Sequence, residues 1–268
     1  MALDDGVRVV LAPNPGIMTG PGTNQYVLGR LPATLIDVAP YDDENARRLT
    51  DGIGGRLEQI VLTHIHPDHV GGARALAAAA EAPVAVHRSR AGHAFAGRPL
   101  APARLIDDGD EITHTAGRLR AVHTPGHESG HCCYYDPERR WLFTGDMILG
   151  TGTVVIPPPD GDMIAYLGSL RRLRELDLVR ILPGHGPPIE RPYDKIDEYL
   201  AHRLLRERQI IAVLEEGEAA LGALVARIYA GVPAVLHPAA ALTVRAHLQK
   251  LAVEGVVSEE PGERYRLS

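Results

Sequence analysis

Lysine is nearly missing: of 28 basic residues only Lys195 and Lys250 are lysine, and arginine supplies the rest. The skew reads as genomic composition, and it does not tip the balance of charge, because the formal net charge is -6. A global attraction to phosphate backbones is thereby excluded, although a local basic patch is not. Cysteine is equally scarce. Cys132 and Cys133 are neighbours, a spacing that suits no ordinary structural disulfide and fits a reducing compartment. We expect both to be half-buried strand residues. Nowhere do eighteen apolar residues run together, so no ordinary transmembrane helix and no membrane partner are expected. The stretch Met1 to Pro15 lacks a basic segment followed by an apolar one, which leads us to expect a cytoplasmic protein. No fixed-period repeat indicates a solenoid.

What is present is an ordinary globular composition, with 45% hydrophobic and 23% charged residues in 268, enough for one full core and a small second domain. Short apolar runs predict strands at Val7–Leu11, Gln25–Leu28, Ala33–Val38, Gln59–Leu62, Val84–His87, Leu119–His123, Cys132–Tyr135, Trp141–Thr144 and Val179–Leu182. Helices are expected at Asp43–Thr50, Ala73–Ala80 and Asp162–Glu175. Proline and glycine cluster from Pro183 to Pro188, and the composition then changes. Helices are expected at Lys195–Glu215, Ala219–Tyr229 and Ala239–Glu254, followed by a two-stranded turn around Pro261–Gly262. We therefore divide the chain into 1–192 and a winged-helix-like 193–268.

The sharpest signal is Thr63-His64-Ile65-His66-Pro67-Asp68-His69-Val70-Gly71-Gly72, lying between the apolar run ending at Leu62 and the alanine-rich helix at Ala73. Four potential ligands thus leave the end of one rigid strand together, and ligands on rigid elements lose little entropy when they bind a cation. Imidazole with carboxylate suits zinc, with manganese and iron as alternatives. Two metals need more donors than this loop holds. Three other strand ends offer them beside a glycine: His127 in Thr124-Pro125-Gly126-His127, Asp146 in Phe143-Thr144-Gly145-Asp146, and His185 in Leu182-Pro183-Gly184-His185. Any one of these would pass as turn chemistry; their repetition with the first loop points to a metal centre.

With these motifs the chain resembles the metallo-β-lactamase superfamily. The resemblance implies an α+β fold, a four-layer αβ/βα sandwich with two divalent metal ions at one edge of facing sheets. It implies that His64, His66 and His127 hold one metal, Asp68, His69 and His185 the other, and that Asp146 bridges them. The position of Asp146 is cysteine in the best-known zinc β-lactamases, so antibiotic hydrolysis is not the expected role. Thr19-Gly20-Pro21-Gly22-Thr23-Asn24, Gly145 to Thr153, and the tail with Leu242 to Gly255 resemble the β-lactamase-like protein 2 group. Glu128 departs from the threonine or serine often found after the ligand histidine.

The resemblance implies a hydrolase that uses a metal-bridging hydroxide, with Asp68 orienting it and shuttling its proton. The leading expectation is a small-molecule or carrier-linked ester, thioester or lactone. A glutathione thioester is disfavoured because no dedicated basic tail is evident. Alternatives are cleavage of single-stranded RNA, with Arg203, Arg206 and Arg208 on the phosphates or simply on a solvated helix face, and a non-catalytic nucleic-acid-binding module. His131 is read as a site support, a substrate contact or a surface histidine. Thr19 to Asn24 either lines the site or is a plain hairpin connection, and Tyr166 is placed at the cleft. His87, His93, His114, His123, His202, His237 and His247 are expected to do packing or surface work. A homodimer is compatible with all of this.

Overall fold

Strands whose residues are apolar on both faces need two cores, and the strands between Val7 and Leu182 supply two. The computed structural model describes residues 1–4, 6–40, 42–95, 98–99 and 102–268. Its contacts divide the chain into two units, one of 1–124, 130–152 and 176–192, the other of 125–129, 153–175 and 193–268.

In chain order the first unit contains β1 (Val7–Leu11), β2 (Asn24–Leu28), β3 (Ala33–Ile36), α1 (Asp43–Ile53), β4 (Leu57–Val61), the one-turn α2 (Pro67–Val70), α3 (Ala73–Ala80) and β5 (Val84–His87). The paired two-residue strands β6 (Ala94–Phe95) and β7 (Arg98–Pro99) follow, then β8 (Arg104–Ile106), β9 (Glu111–His114), β10 (Gly117–His123), β11 (Cys132–Asp136), β12 (Trp141–Gly145) and β13 (Arg180–Pro183). One sheet has the order β1-β2-β3-β4-β5-β8, antiparallel through β3 and parallel beyond it. The other is β13-β12-β11-β10-β9, with only the β12–β13 pair parallel.

Successive residues of a strand point to opposite faces, and the two cores divide accordingly. Val27, Leu35, Ile60, Val84 and Val86 pack with Leu49 and Ile53 of α1 and Ala73 and Leu76 of α3. Their neighbours Tyr26, Leu28, Ile36, Val61 and Ala85 pack with Leu119, Cys132, Tyr134, Phe143 and Leu182 of the second sheet. The cysteines are fully buried, not half-buried, because β11 lies inside its sheet and is covered on both faces. The strand expected to reach Val38 stops at Ile36, since Asp37 turns the chain with φ 60°. Unanticipated β9 lies on an edge, where Glu111 and Thr113 face solvent and blunt its apolar signal.

The second unit contains α4 (Met163–Arg174), α5 (Pro192–Glu215), β14 (Ala219–Ala220), α6 (Leu221–Ile228), α7 (His237–Val253), β15 (Val257–Glu260) and β16 (Arg264–Leu267). Ile210 and Leu214 of α5, Leu224 and Val225 of α6, and Val244, Leu248 and Leu251 of α7 enclose Val257 and Tyr265. Ala219 and Ala220, expected to open a helix, instead pair with β16 to make a three-stranded wing of order β14-β16-β15. Two further expectations are corrected by burial. Tyr166 is fully buried, and of the three arginines read along α5, Arg203 is buried and Arg206 lies over the Tyr229 ring at 4.5 Å. The amphipathic face of α5 runs through those two positions, so they turn inward and only Arg208 stays exposed. No helix among the described residues is long and apolar enough to cross a membrane.

Phe143 meets Tyr26 edge-on at 5.1 Å between the sheets. Phe143→Ala should cost about 3–5 kcal/mol, read as a lowered denaturation midpoint with an unchanged slope.

Candidate metal centre

Parallel pairing decides where donors can gather. β3 and β4 run parallel, so Asp37 and the His64 loop leave the first sheet at the same end; β12 and β13 do likewise for Asp146 and His185 in the second. Pro67 occupies the first turn of α2, where a missing N–H costs nothing, and His66 precedes it in extended conformation. Asp68 and His69 therefore sit on one short, rigid turn. Two glycines let the strand ends close on that turn. A Cβ on Gly145, whose φ is 45°, would lie 2.5 Å from Thr63 Oγ1, and one on Gly184 would lie 2.6 Å from His69 Cε1.

Asp68, His69, Asp146 and His185 each present a ligand atom, all within 4.8 Å of one another. His69 Nε2 is 3.2 Å from Asp146 Oδ1 and 3.2 Å from His185 Nε2, and His185 Nε2 is 3.1 Å from Asp68 Oδ2. The rear nitrogen of each ring is tied down. His69 Nδ1 donates to Asp37 Oδ2 at 2.8 Å, and His185 Nδ1 donates to the Gly22 carbonyl at 3.3 Å. Placing the proton on Nδ1 leaves Nε2 with its lone pair toward the cluster, the tautomer a cation requires. The donor set fits a divalent metal.

The electrostatics agree with a site built for positive charge. Burial disfavours a protonated His69, but the Asp146 and Asp37 carboxylates more than offset it and hold its pKa well above the ordinary 6.5. Burial acts the same way on His185, and its hydrogen bond with Asp68 and the charge of Asp146 raise it overall. Burial would push Asp68 up, yet its hydrogen bond with His185 and the neighbouring His69 lower it below the usual carboxylate range.

Asp37 is the residue that sequence reasoning missed. Besides His69 it accepts from Thr63 N and Thr63 Oγ1, each at 2.8 Å, and Thr63 Oγ1 lies 3.0 Å from His64 Nδ1. Its signal was the same strand-end position as Asp146, without the adjacent glycine. His64 is buried, and its ring meets His66 edge-on at 4.7 Å. His131 is no surface residue: its Nε2 accepts from Asp146 N at 3.2 Å, so the proton is on Nδ1, directed at Thr124 Oγ1 at 3.0 Å. It holds the backbone of Asp146. The Thr19–Asn24 loop grips the His185 turn: Asn24 N donates to Gly184 O at 2.7 Å, and Asn24 Nδ2 donates to Pro183 O and Gly186 O. His127 belongs to the second unit, where its Nδ1 donates to Val155 O at 2.7 Å.

Residues 18–185 match the metallo-beta-lactamase superfamily, well over half of the chain. The chain belongs to the metallo-β-lactamase superfamily. Residues 221–264 match the beta-lactamase associated winged helix domain, in keeping with the three-stranded wing of this superfamily member. A beta-lactamase-like protein 2 homolog of Caenorhabditis elegans is 35% identical over 98% of this chain and 90% of its own length. The crystal structure of a metallo-beta-lactamase family protein from Thermus thermophilus superposes with a TM-score of 0.85 over all of both chains, at 23% identity. A shorter solved structure, described as a di-iron-bound form, is 30% identical, with a TM-score of 0.55 over 68% of this chain and 96% of its own. The superfamily's members are typically metal-dependent hydrolases, and in this chain Asp68, His69, Asp146 and His185 form a cluster that could hold a metal ion.

Asp37→Asn keeps the shape and removes the charge behind His69; metal affinity measured against a competing chelator should fall about 10–100-fold. A second expectation concerns pH. The raised His69 and His185 must lose protons before a metal can bind, so metal affinity falls as pH drops below their raised values. The metal-free protein shows the opposite sign, losing the stabilisation these protonated rings provide as pH rises through the same range. Calorimetric titration in buffers of differing ionisation enthalpy should show proton release on binding; none would refute the assignment.

Proposed function

We propose that the protein is a dinuclear metal hydrolase acting on a small-molecule or carrier-linked ester, thioester or lactone. The observation that carries this is the convergence of Asp68, His69, Asp146 and His185, with both imidazoles held in the metal-binding tautomer from behind. In this reading His64, His66 and His127 would hold one metal, Asp68, His69 and His185 would hold the other, and Asp146 would serve both. Zinc suits a histidine-rich mixed set best; the di-iron form of a relative keeps iron as the alternative, with manganese after it.

Bound there, two divalent cations would lower the pKa of a bound water toward neutrality and polarise the oxygen of the scissile group. The chain's own residues do the rest. Asp68 is the most exposed of its cluster, with 25% of its side chain accessible against 12% for Asp146 and 6% for His185. It therefore faces incoming substrate. Its Oδ2 is engaged by His185, and Oδ1 is the atom we assign to orient the attacking water and take its proton. Asp37 and Gly22 keep His69 and His185 from turning, while His131 fixes the backbone of Asp146.

The reading as an RNA nuclease is the weaker one, because two of the three arginines that would meet phosphates are turned inward. A non-catalytic binding module is weaker still, since it gives no reason for a complete donor set. We place the protein in the cytoplasm, as a monomer or homodimer.

Elemental analysis should find about two metals per chain. Hydrolysis of a panel of thioesters, lactones, phosphodiesters and single-stranded RNA should show one class turned over by the wild type. Asp146→Ala should lose that turnover by at least about 100-fold, given the size of effect expected for removing a bridging ligand. Fewer than one metal per chain after supplementation with zinc, manganese and iron, with no metal-dependent turnover, would sink the proposal.

A further inference from the structure

A buried arginine needs something to receive its charge. Arg203 on α5 is only 1% exposed, and its guanidinium lies over the Tyr166 ring with Cζ 5.1 Å from the centroid. The carboxylate one turn further on, Glu207, is engaged by Lys250 at 2.9 Å. The hydrogen bond that Arg203 does make runs from Nη2 to the carbonyl of Val154, at 2.6 Å. An apolar side chain would fill the same space without the desolvation penalty of a guanidinium, so the carbonyl it holds requires an explanation.

That carbonyl opens a short segment gripped at three backbone atoms of two successive peptide groups, all within the second unit. Arg203 holds Val154 O, His127 Nδ1 donates to Val155 O at 2.7 Å, and Ile156 N donates to Thr243 Oγ1 of α7 at 3.3 Å. Val155 C=O and Ile156 N–H are two ends of one planar peptide. Thr243 thus pins the far end of the plane whose near end orients His127, and Arg203 pins the plane before it. With both planes fixed, the direction of the carbonyl that sets the His127 ring is fixed as well.

The loop carrying His127 is held from its other side by the helix beneath Arg203. Ser169 Oγ donates to Pro125 O at 2.7 Å, Asp162 N donates to Gly126 O at 2.8 Å, and a Cβ on Gly126 would lie 2.3 Å from Tyr166 Cα. Arg203 covers Tyr166, the residue against which Gly126 rests. Its guanidinium is therefore the common neighbour of both supports of His127.

We propose that Arg203, assisted by Thr243, is a positioning residue for the metal-ligating imidazole of His127, so that the helices of the second unit tune one metal of the pair and not the other. The inference rests on the reading of His127 as a ligand, and the experiment separates the two. The full-length protein, freed of metal, is titrated with Co2+ while its d–d absorption is followed, and thermal unfolding is recorded in parallel. Wild type should show two classes of site, and His127→Ala should remove one. Arg203→Met and the isosteric Thr243→Val should weaken that same class, by about 10–100-fold and by a smaller factor respectively, leaving the other class unchanged. If His127→Ala leaves both classes intact, the ligand reading fails and the inference with it. If His127→Ala removes a class that both other variants bind with wild-type affinity, only the positioning role is refuted. Equal weakening of both classes would show a general structural role and would also refute it. Should Arg203→Met fail to fold, Thr243→Val decides alone.

Discussion

The carboxylate of Asp37 is the constraint on which the first unit's site depends. It ends β3 in a left-handed turn, accepts from the backbone and hydroxyl of Thr63, and accepts a hydrogen bond from the rear N–H of His69. One buried anion thereby joins the end of one strand to the loop after its parallel neighbour and to the helical turn beyond. A buried carboxylate is tolerable only when its oxygens are satisfied, and here each satisfying donor belongs to the loop that carries the candidate ligands. Folding the sheet and orienting the imidazole are the same event.

The same arrangement recurs on the opposite strand ends. His185 is oriented by a carbonyl of the Thr19–Asn24 loop, and that loop is fixed to the His185 turn through Asn24. Asp146 is held through its backbone by His131. None of these supports touches a cation; each removes a rotation that a ligand would otherwise lose on binding one. Glycines at 145 and 184 serve the approach of the elements, since side chains there would occupy space taken by Thr63 and His69.

In the second unit a polar network of a different kind surrounds α5. Buried Arg203 and partly buried Arg206 are directed at backbone carbonyls and aromatic faces, not at solvent. A helix that can be read as a solvated surface in sequence turns Arg203 inward, where it braces the Val154 carbonyl. Charge on a helix is thus a poor guide to nucleic-acid binding until its burial is known.

Much of the architecture was legible from residue order alone. Alternating apolar runs marked the central strands because strand periodicity is local, and the donors stood out because histidine and aspartate recur beside glycine after those runs. The edge strand β9 and the first strand of the wing were illegible, since an exposed edge lacks an apolar pattern and Ala219–Ala220 is neutral between helix and strand until β16 lies beside it. Asp37 and Arg203 were invisible as supports, and His131 stayed one reading among three, for one physical reason: their roles are hydrogen bonds to groups brought near only by sheet register and helix packing. Residue type and spacing by themselves determined which atoms can bind a metal; tertiary structure alone decided which atoms hold them still, because orientation is a property of contacts between segments far apart in the chain.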